Sequence, residues 1–172
     1  MKDLMMSVES LYKRLRRGLA GLEPVVLLLF RVWVALAFWR AGVVKLEDPF
    51  GTQFLFNVMY QVPLLSPDVA ATLGTWIELI VPWFIVFGLL GRPFALFLFI
   101  YNIIAVTSFP DLWPNGFWTD FFNISSFADH KVWGLMLLAI VAWGPGTFSL
   151  DRLVRRFWPK ASGPSEPIQT IN

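Results

Sequence analysis

Long apolar runs, separated by short polar segments, follow one another from about residue 24 to residue 144. Each run approaches the roughly 17–25 residues that a helix needs to cross a hydrocarbon core about 30 Å thick. The pattern predicts an all-α integral membrane protein whose four transmembrane helices form an up-and-down bundle. The predicted spans cover about 24–46, 67–91, 93–109 and 127–144.

The first 23 residues follow a different, amphipathic pattern. Leucines recur three or four residues apart, and basic residues lie mostly on the opposite side of the predicted helix. This pattern is typical of an interfacial helix on an anionic membrane surface, and a solvated helical leader fits it as well. The residues concerned are Leu11, Leu15, Leu19 and Leu22 on one side, and Lys13, Arg14, Arg16 and Arg17 on the other.

The composition agrees with a membrane protein. Hydrophobic residues make up 56% of the chain and charged residues only 15%, and the mean hydropathy is +0.61. A soluble domain of this length would carry more charge. The chain has no cysteine, which excludes disulfides, thiol relays and thiolate metal sites within it.

The charges are distributed unevenly among the predicted loops. Lysines and arginines flank the first and last spans and occupy the 2–3 connection, whereas the other two loops are acidic. The positive-inside rule therefore predicts that both termini are cytoplasmic. The chain divides into a basic amphipathic N-terminal segment at 1–23, a four-span membrane domain at 24–155 and a polar cytoplasmic tail at 156–172.

The first span carries cations inside an apolar helix. A helix advances about 100° per residue, so Arg31, Phe38, Gly42 and Lys45 form one narrow stripe. Arg40 lies nearly opposite Arg31. Glycine in such a stripe allows a second helix to approach closely, which indicates that the Arg31 side of the span faces the bundle.

Apart from Asp68 in its first turn, Glu78 is the only charged residue within the second span. A carboxylate near the bilayer centre needs a partner, because an unpaired one costs several kcal/mol or becomes protonated. At about 1.5 Å rise per residue, Arg31 and Arg40 both lie within side-chain reach of its depth. We predict an Arg31–Glu78 ion pair, and expect Arg40 and Lys45 to extend to the outer interface beside Trp39.

The same residues predict a cavity in the outer half of the bundle. Aromatic walls with a few convergent polar groups are typical of a site for a ring-bearing, lipid-soluble ligand such as a quinone. Arg31 also remains a ligand-binding candidate beside the cavity. The predicted polar groups are Glu78, Arg40, Lys45, His130 and Asn102, and the predicted walls are Trp39, Trp76 and Trp133.

Simpler interpretations of these residues stay open. The Arg31–Glu78 pair could be a structural pin that sets helix register, and His130 could be an interfacial or capping residue instead of a proton carrier. The tryptophans also suit a belt of interface anchors. A metal site is not expected, because Asp111, Asp120, Asp129 and His130 lack a recognisable ligand spacing.

Several motifs, in this order, resemble the DoxX family of small bacterial membrane proteins over about residues 24–155. They are the stripe from Arg31 to Lys45 with Leu46 after it, Glu78 within GTWIELIVPWFIVFGLLGR, the run DHKVWG from Asp129 to Gly134, and GPGTFSLD from Gly144 to Asp151. The resemblance implies a four-span protein of the bacterial inner membrane.

The resemblance also implies a functional context. The family is named for its similarity to a subunit of thiosulfate:quinone oxidoreductase, and some members are thought to anchor soluble redox or stress-response enzymes at the membrane. We therefore expect a membrane subunit or anchor of such a system that binds quinone, in contact with the bilayer and with soluble redox partners, and not with nucleic acid. Without cysteine, any sulfur chemistry must come from a partner.

Two other classes of function remain as alternatives. One is an accessory for transport of a small anion or metal-linked solute, and the other is a purely structural scaffold. Glycines in the spans could pack helices within one chain or between two chains of a homodimer. The glycines concerned are Gly42, Gly74 and Gly88.

Overall fold

Helices dominate the part of the chain that the structure, a computed structural model, describes: residues 2–157, apart from the side chains of 2–4 and 7. A single 3₁₀ turn, Pro110–Leu112, accompanies them in that range. The helices are α1 (Lys2–Ala20), α2 (Glu23–Glu47), α3 (Pro49–Val58), α4 (Pro67–Phe87), α5 (Gly91–Thr107), α6 (Phe117–Phe122), α7 (Ala128–Trp143) and α8 (Leu150–Phe157).

Four long helices, α2, α4, α5 and α7, form the predicted bundle. Helix α2 packs against α4 and α7, and α5 packs against the same two helices, so the four helices surround one core. Each coincides with a predicted apolar segment to within a few residues. The core contains Val34, Ala35 and Phe38 of α2, Val81 and Ile85 of α4, Ala95 and Leu98 of α5, and Leu137 and Ile140 of α7.

The outer surface of this bundle is apolar, as a bilayer requires. Large side chains such as Trp33, Ile80, Ile100 and Leu135 are about half exposed or more. Two helical stretches, one containing α2 and the other being α4, are long and apolar enough to cross a membrane. Helices α5 and α7 have 17 and 16 residues, so a count of four spans stays a prediction.

The two ends of the bundle differ in charge. The basic end is where α4 turns into α5 and where α8 follows α7; it carries Arg92, Arg152, Arg155 and Arg156. The acidic end is formed by α3, α6 and the loops around them. Its acids include Asp48, Asp68, Asp111 and Asp120.

Besides α1, three of the described helices lie outside the four predicted spans. Helix α3 packs on α4 through Phe56, Ala70 and Ala71, and α6 lies in the loop before α7. Helix α8 continues to Phe157, so the predicted boundary at residue 156 falls inside a helix. The rest of the predicted tail, 158–172, lies outside the described residues, and the position of α1 on a membrane surface stays a prediction.

Asp120 organises the loop that caps the acidic end. Its carboxylate accepts hydrogen bonds from the Ser126 hydroxyl at 2.7 Å and from the Asn115 backbone N–H at 2.9 Å. The Lys131 ammonium donates to the Asp120 backbone carbonyl at 2.9 Å. The hydrogen bond from Ser126, followed by those from Asn115, lowers the pKa of Asp120 below its ordinary value.

This lowered pKa predicts a pH-dependent loop. A carboxyl group whose pKa is lower in the folded than in the unfolded state stabilises the fold above the unfolded value, about 3.9, and loses that effect as pH falls through the folded value. We expect the loop to loosen below about pH 4, and the Asp120→Asn variant to show a loosened loop already at pH 7. Fluorescence of Trp113 and Trp118, followed as a function of pH, measures this loosening of the loop. The exposed Asp111→Asn variant is the control, and identical pH profiles for wild type and Asp120→Asn would contradict the assignment.

Candidate functional site

Glu78 lies buried between α2 and α5, with both of its carboxylate oxygens occupied. It is 5% exposed. The Lys45 ammonium forms an ion pair with Oε2, and the Tyr101 hydroxyl donates a hydrogen bond to Oε1 at 2.8 Å. The predicted Arg31–Glu78 pair is therefore wrong, because Lys45 is the cation at this carboxylate.

Close approach of α2 and α4 explains the choice of Lys45. A Cβ atom added at Gly42 would lie 3.0 Å from both the backbone carbonyl carbon and the Cβ of Glu78, so only glycine fits without a shift. Lys45 follows Gly42 by three residues on the same side of α2, which brings its ammonium to the carboxylate. The prediction that Lys45 extends to the outer interface is wrong. Its side chain points into the bundle, where its ammonium pairs with the buried Glu78 carboxylate.

Arg31 instead connects α2 to the segment between α7 and α8 at the basic end. Its side chain is fully buried, and Nη2 donates to the Phe148 carbonyl between α7 and α8. Beside it, the Asp151 carboxylate accepts hydrogen bonds from the backbone N–H groups of Leu90 at 2.7 Å and Gly91 at 2.9 Å. We call these five residues the basic-end clamp. It ties α2, the α4–α5 turn and α8 to one another.

Arg40, Trp39 and Trp76 are not among the residues that line the cavities around Glu78 and His130. Arg40 is on the exposed side of α2. Trp39 packs edge-on against Trp83, with 6.2 Å between ring centroids, and Trp76 is 53% exposed. These positions suit contact with lipid at the bundle surface.

His130 and Asn102 join α5 to α7. The Asn102 amide donates from Nδ2 to the His130 carbonyl at 3.0 Å, and its Oδ1 lies 2.8 Å from His130 Nδ1, where it accepts when that nitrogen carries the proton. Trp133 packs on His130 and on Phe38, with ring centroids 4.8 and 5.5 Å away. The predicted third wall is thus an interior packing residue.

Two separate cavities replace the single one that was predicted. The first lies between α3, α4 and α5, has a volume of about 210 Å³ and contains Lys45 and Glu78 in its wall. The second lies between α5, α6 and α7, has a volume of about 490 Å³ and contains Asn102 and His130. The prediction that Lys45, Glu78, Asn102 and His130 share one cavity is wrong. Tyr101 and Asn102 are adjacent in α5, where side chains point about 100° apart, and they line different cavities.

The first cavity, which we call the α4–α5 cavity, has an aromatic and apolar wall. Residues on its rim such as Leu73, Phe97 and Ile100 are about half exposed, so it opens sideways onto the lipid-facing surface. Four polar side chains are in its wall besides Glu78. They are Lys45, Tyr60, Tyr101 and Ser108.

Two of these polar groups retain hydrogen-bonding capacity for a ligand. Ser108 is 1% exposed, and its hydroxyl oxygen has no hydrogen-bond partner among the described residues. The Tyr60 ring is stacked between Phe56 and Phe109, with centroids 4.4 and 4.8 Å away. Burial, and secondarily the charge of Glu78, raise the pKa of Tyr60, so its hydroxyl stays protonated and can donate.

The tyrosines of this cavity, Tyr60 and Tyr101, are not predicted by the sequence pattern. Tyr101 stands in an apolar helix next to Asn102, and only the rotation of α5 shows which of the two meets Glu78. Tyr60 lies in a connection between helices, where periodicity carries no information on direction. Among residues 2–157, no three His, Asp or Glu side chains are grouped so that they could hold a metal ion.

The helical bundle, its apolar surface and its apolar helices define a membrane protein. The family model of DoxX matches residues 26–111, which are 86 of the 172 residues. The chain belongs to the DoxX family. The match covers most of α2 and all of α3 to α5, and therefore includes Lys45, Glu78 and Tyr101. A search of curated proteins found no match, and a search of solved structures found none.

Proposed function

We propose that this protein is a four-span membrane subunit of a redox or stress-response system, that both its termini are cytoplasmic, and that it binds a quinone in the α4–α5 cavity. The observation that carries the proposal is the placement of the Lys45–Glu78–Tyr101 group in the wall of a lipid-open, aromatic cavity. A ring-bearing ligand with polar oxygens uses both features.

The size and shape of the α4–α5 cavity suit the head of such a ligand. Its 210 Å³ is smaller than the roughly 300–1,000 Å³ of pockets that enclose whole small molecules. A ring can therefore enter, while a long apolar tail must leave through the opening. The exposed side chains of Leu73, Phe97 and Ile100 line that route and present only hydrocarbon or an aromatic ring to the tail.

The polar groups suit the oxygens of a quinone, which accept hydrogen bonds. Lys45 is paired with Glu78, and the hydroxyls of Tyr60 and Ser108 provide further donors in the same wall. A cation near a ring oxygen favours the build-up of negative charge on it. The protein would thus orient the quinone, while a soluble partner delivers electrons and supplies any sulfur chemistry.

The test is mass spectrometry of organic extracts from the gently purified protein. We expect wild type to retain about one quinone per chain and Gly74→Leu to lose it, because a Cβ at residue 74 already lies 3.2 Å from the Tyr101 hydroxyl and a larger side chain fills the α4–α5 cavity. Gly134→Leu is the matched control. Its Cβ points into the second cavity, 3.5 Å from Asn102 Nδ2, and quinone should remain bound.

Each other outcome decides against part of the proposal. Quinone retained equally by both variants places it elsewhere on the protein. Recovery of phospholipid alone from wild type removes the quinone function and favours a scaffold. Solute flux in proteoliposomes, abolished by Gly74→Leu and without bound quinone, favours a transport accessory instead.

A further inference from the structure

Helix α8 separates apolar and basic side chains onto opposite sides. Leu150, Leu153, Val154 and Phe157 recur at spacings of three and four residues, so they form one stripe, and all are exposed. The arginines of α8 lie on the opposite half of the helix. An eight-residue helix with an exposed apolar stripe and a basic side is suited to a membrane surface. The arginines are Arg152, Arg155 and Arg156.

The basic-end clamp holds α8 in a defined position. The Asp151 carboxylate caps the α4–α5 turn through Leu90 and Gly91, and the Asp151 backbone N–H donates to the Gly88 carbonyl at 3.1 Å. These three hydrogen bonds fix the first turn of α8 against the end of α4. The arginines are therefore presented from a rigid element and not from a free tail.

A groove of about 780 Å³ lies between α8 and the end of α4. All three α8 arginines line it, together with apolar residues that include Val86, Phe87 and Leu153. Among residues 2–157, no carboxylate lies within ion-pair distance of Arg152, Arg155 or Arg156. The nearest acid in sequence, Asp151, already binds backbone N–H groups. Within the described part of the chain, the groove therefore has three positive charges without an acidic partner, beside an apolar wall.

An apolar track leads from this groove along the bundle surface. Ile80, Trp83 and Phe87 lie one turn apart on the same side of α4, and each is about half exposed. The rings of Trp83 and Phe87 are 6.1 Å apart. A ligand that contacted both the arginines of the groove and this apolar track would need an anionic head and a hydrocarbon chain.

We propose that the α8 groove binds an anionic phospholipid, with the headgroup phosphate on the three arginines and an acyl chain along Ile80, Trp83 and Phe87. A bilayer provides such lipids at the depth of the helix end, and basic pockets there attract them. Soluble phosphate would contact only the arginines, because it has no hydrocarbon chain to pack on the apolar track. The groove is distinct from the α4–α5 cavity.

The test uses native mass spectrometry of the purified full-length chain, incubated with equal amounts of phosphatidylglycerol and phosphatidylcholine. We expect wild type to retain one phosphatidylglycerol at least tenfold in preference to phosphatidylcholine. The R152Q/R155Q/R156Q variant should lose that preference. The K13Q/R16Q/R17Q variant, which removes three charges from α1, is the matched control and should keep it.

The remaining outcomes are equally decisive. Equal retention of both lipids by wild type overturns the proposal without any variant, so a folding defect cannot obscure the result. An equal loss of preference in both triple variants means that net charge, and not the groove, selects the lipid. Protection from thermal unfolding by inorganic phosphate as strong as that by phosphatidylglycerol would assign the arginines to a soluble anion.

Discussion

Lys45→Met and Glu78→Gln are each expected to lower the free energy of unfolding by about 3 kcal/mol, since removal of one partner from a buried ion pair leaves an uncompensated charge. Glutamine keeps the shape of the side chain and the acceptor for the Tyr101 hydroxyl, so the loss reports the charge and not a cavity. Unfolding of the detergent-solubilised protein, followed by tryptophan fluorescence, provides the measurement.

The double variant separates the ion pair from unrelated effects. Lys45→Met/Glu78→Gln should be milder than the sum of the single variants by about 1–3 kcal/mol, because interacting residues show couplings of that order. Arg31→Met/Glu78→Gln should be additive to within about 0.5 kcal/mol, since Arg31 bonds to Phe148. The reverse pattern would restore the pairing that the sequence alone predicted.

Arg40→Met is the control for charge loss in α2. Arg40 lies on the exposed side of the helix, so we expect a change of no more than about 0.5 kcal/mol, as for most surface substitutions. A loss at Arg40 as large as that at Lys45 would mean that total charge, and not the buried pair, sets the stability.

The second large effect is expected for Gly88→Ala in the α4–α5 turn. Gly88 has φ +63°, and an added Cβ would lie 2.6 Å from Ser149 Cβ and would also clash with the Arg31 guanidinium. Left-handed backbone costs alanine about 1–2 kcal/mol, and overpacking adds about 1–3 kcal/mol. We expect a loss of about 3 kcal/mol in the free energy of unfolding.

A local measurement shows whether the basic-end clamp is the part that fails. Gly88→Ala should expose α8, so trypsin should cleave it faster after Arg152, Arg155 and Arg156. Gly116→Ala is the matched control: it has φ +98°, but an added Cβ meets nothing within 4 Å. It should lose only about 1–3 kcal/mol through backbone strain and leave cleavage of α8 unchanged. Equal cleavage of α8 in both variants would contradict the role assigned to the clamp.

The three cations of α2 lie in different environments and have different contacts. Lys45 and Glu78 lie beside the α4–α5 cavity, where a ligand can use them, whereas Arg31 is fully buried and bonded to backbone at the basic end. The cations of α2 therefore have three separate surroundings: the cavity wall for Lys45, the clamp for Arg31 and the exposed surface for Arg40.

The helical stripe of α2 was predictable, and the error over Lys45 came from an additional assumption. The 100° rotation per residue places Arg31, Gly42 and Lys45 on one side. In the structure Arg31 is buried, and Gly42 and Lys45 face Glu78 of α4. The sequence favours an interfacial position for Lys45, because lysines near helix ends often extend there. The buried carboxylate of Glu78 outweighs that tendency, because it would otherwise lack a cationic partner.

The sequence by itself determined the four apolar helices, the inward side of α2, the charge difference between the bundle ends and the resemblance to the DoxX family. These follow from run length, local periodicity and composition, which are properties of one segment at a time. Only the tertiary structure decided which cation meets Glu78, that His130 and Glu78 occupy different cavities, and that Asp151 returns to the α4–α5 turn. Those contacts depend on the rotation and close approach of helices at Gly42 and Gly88, and the pattern within a single helix does not contain that information.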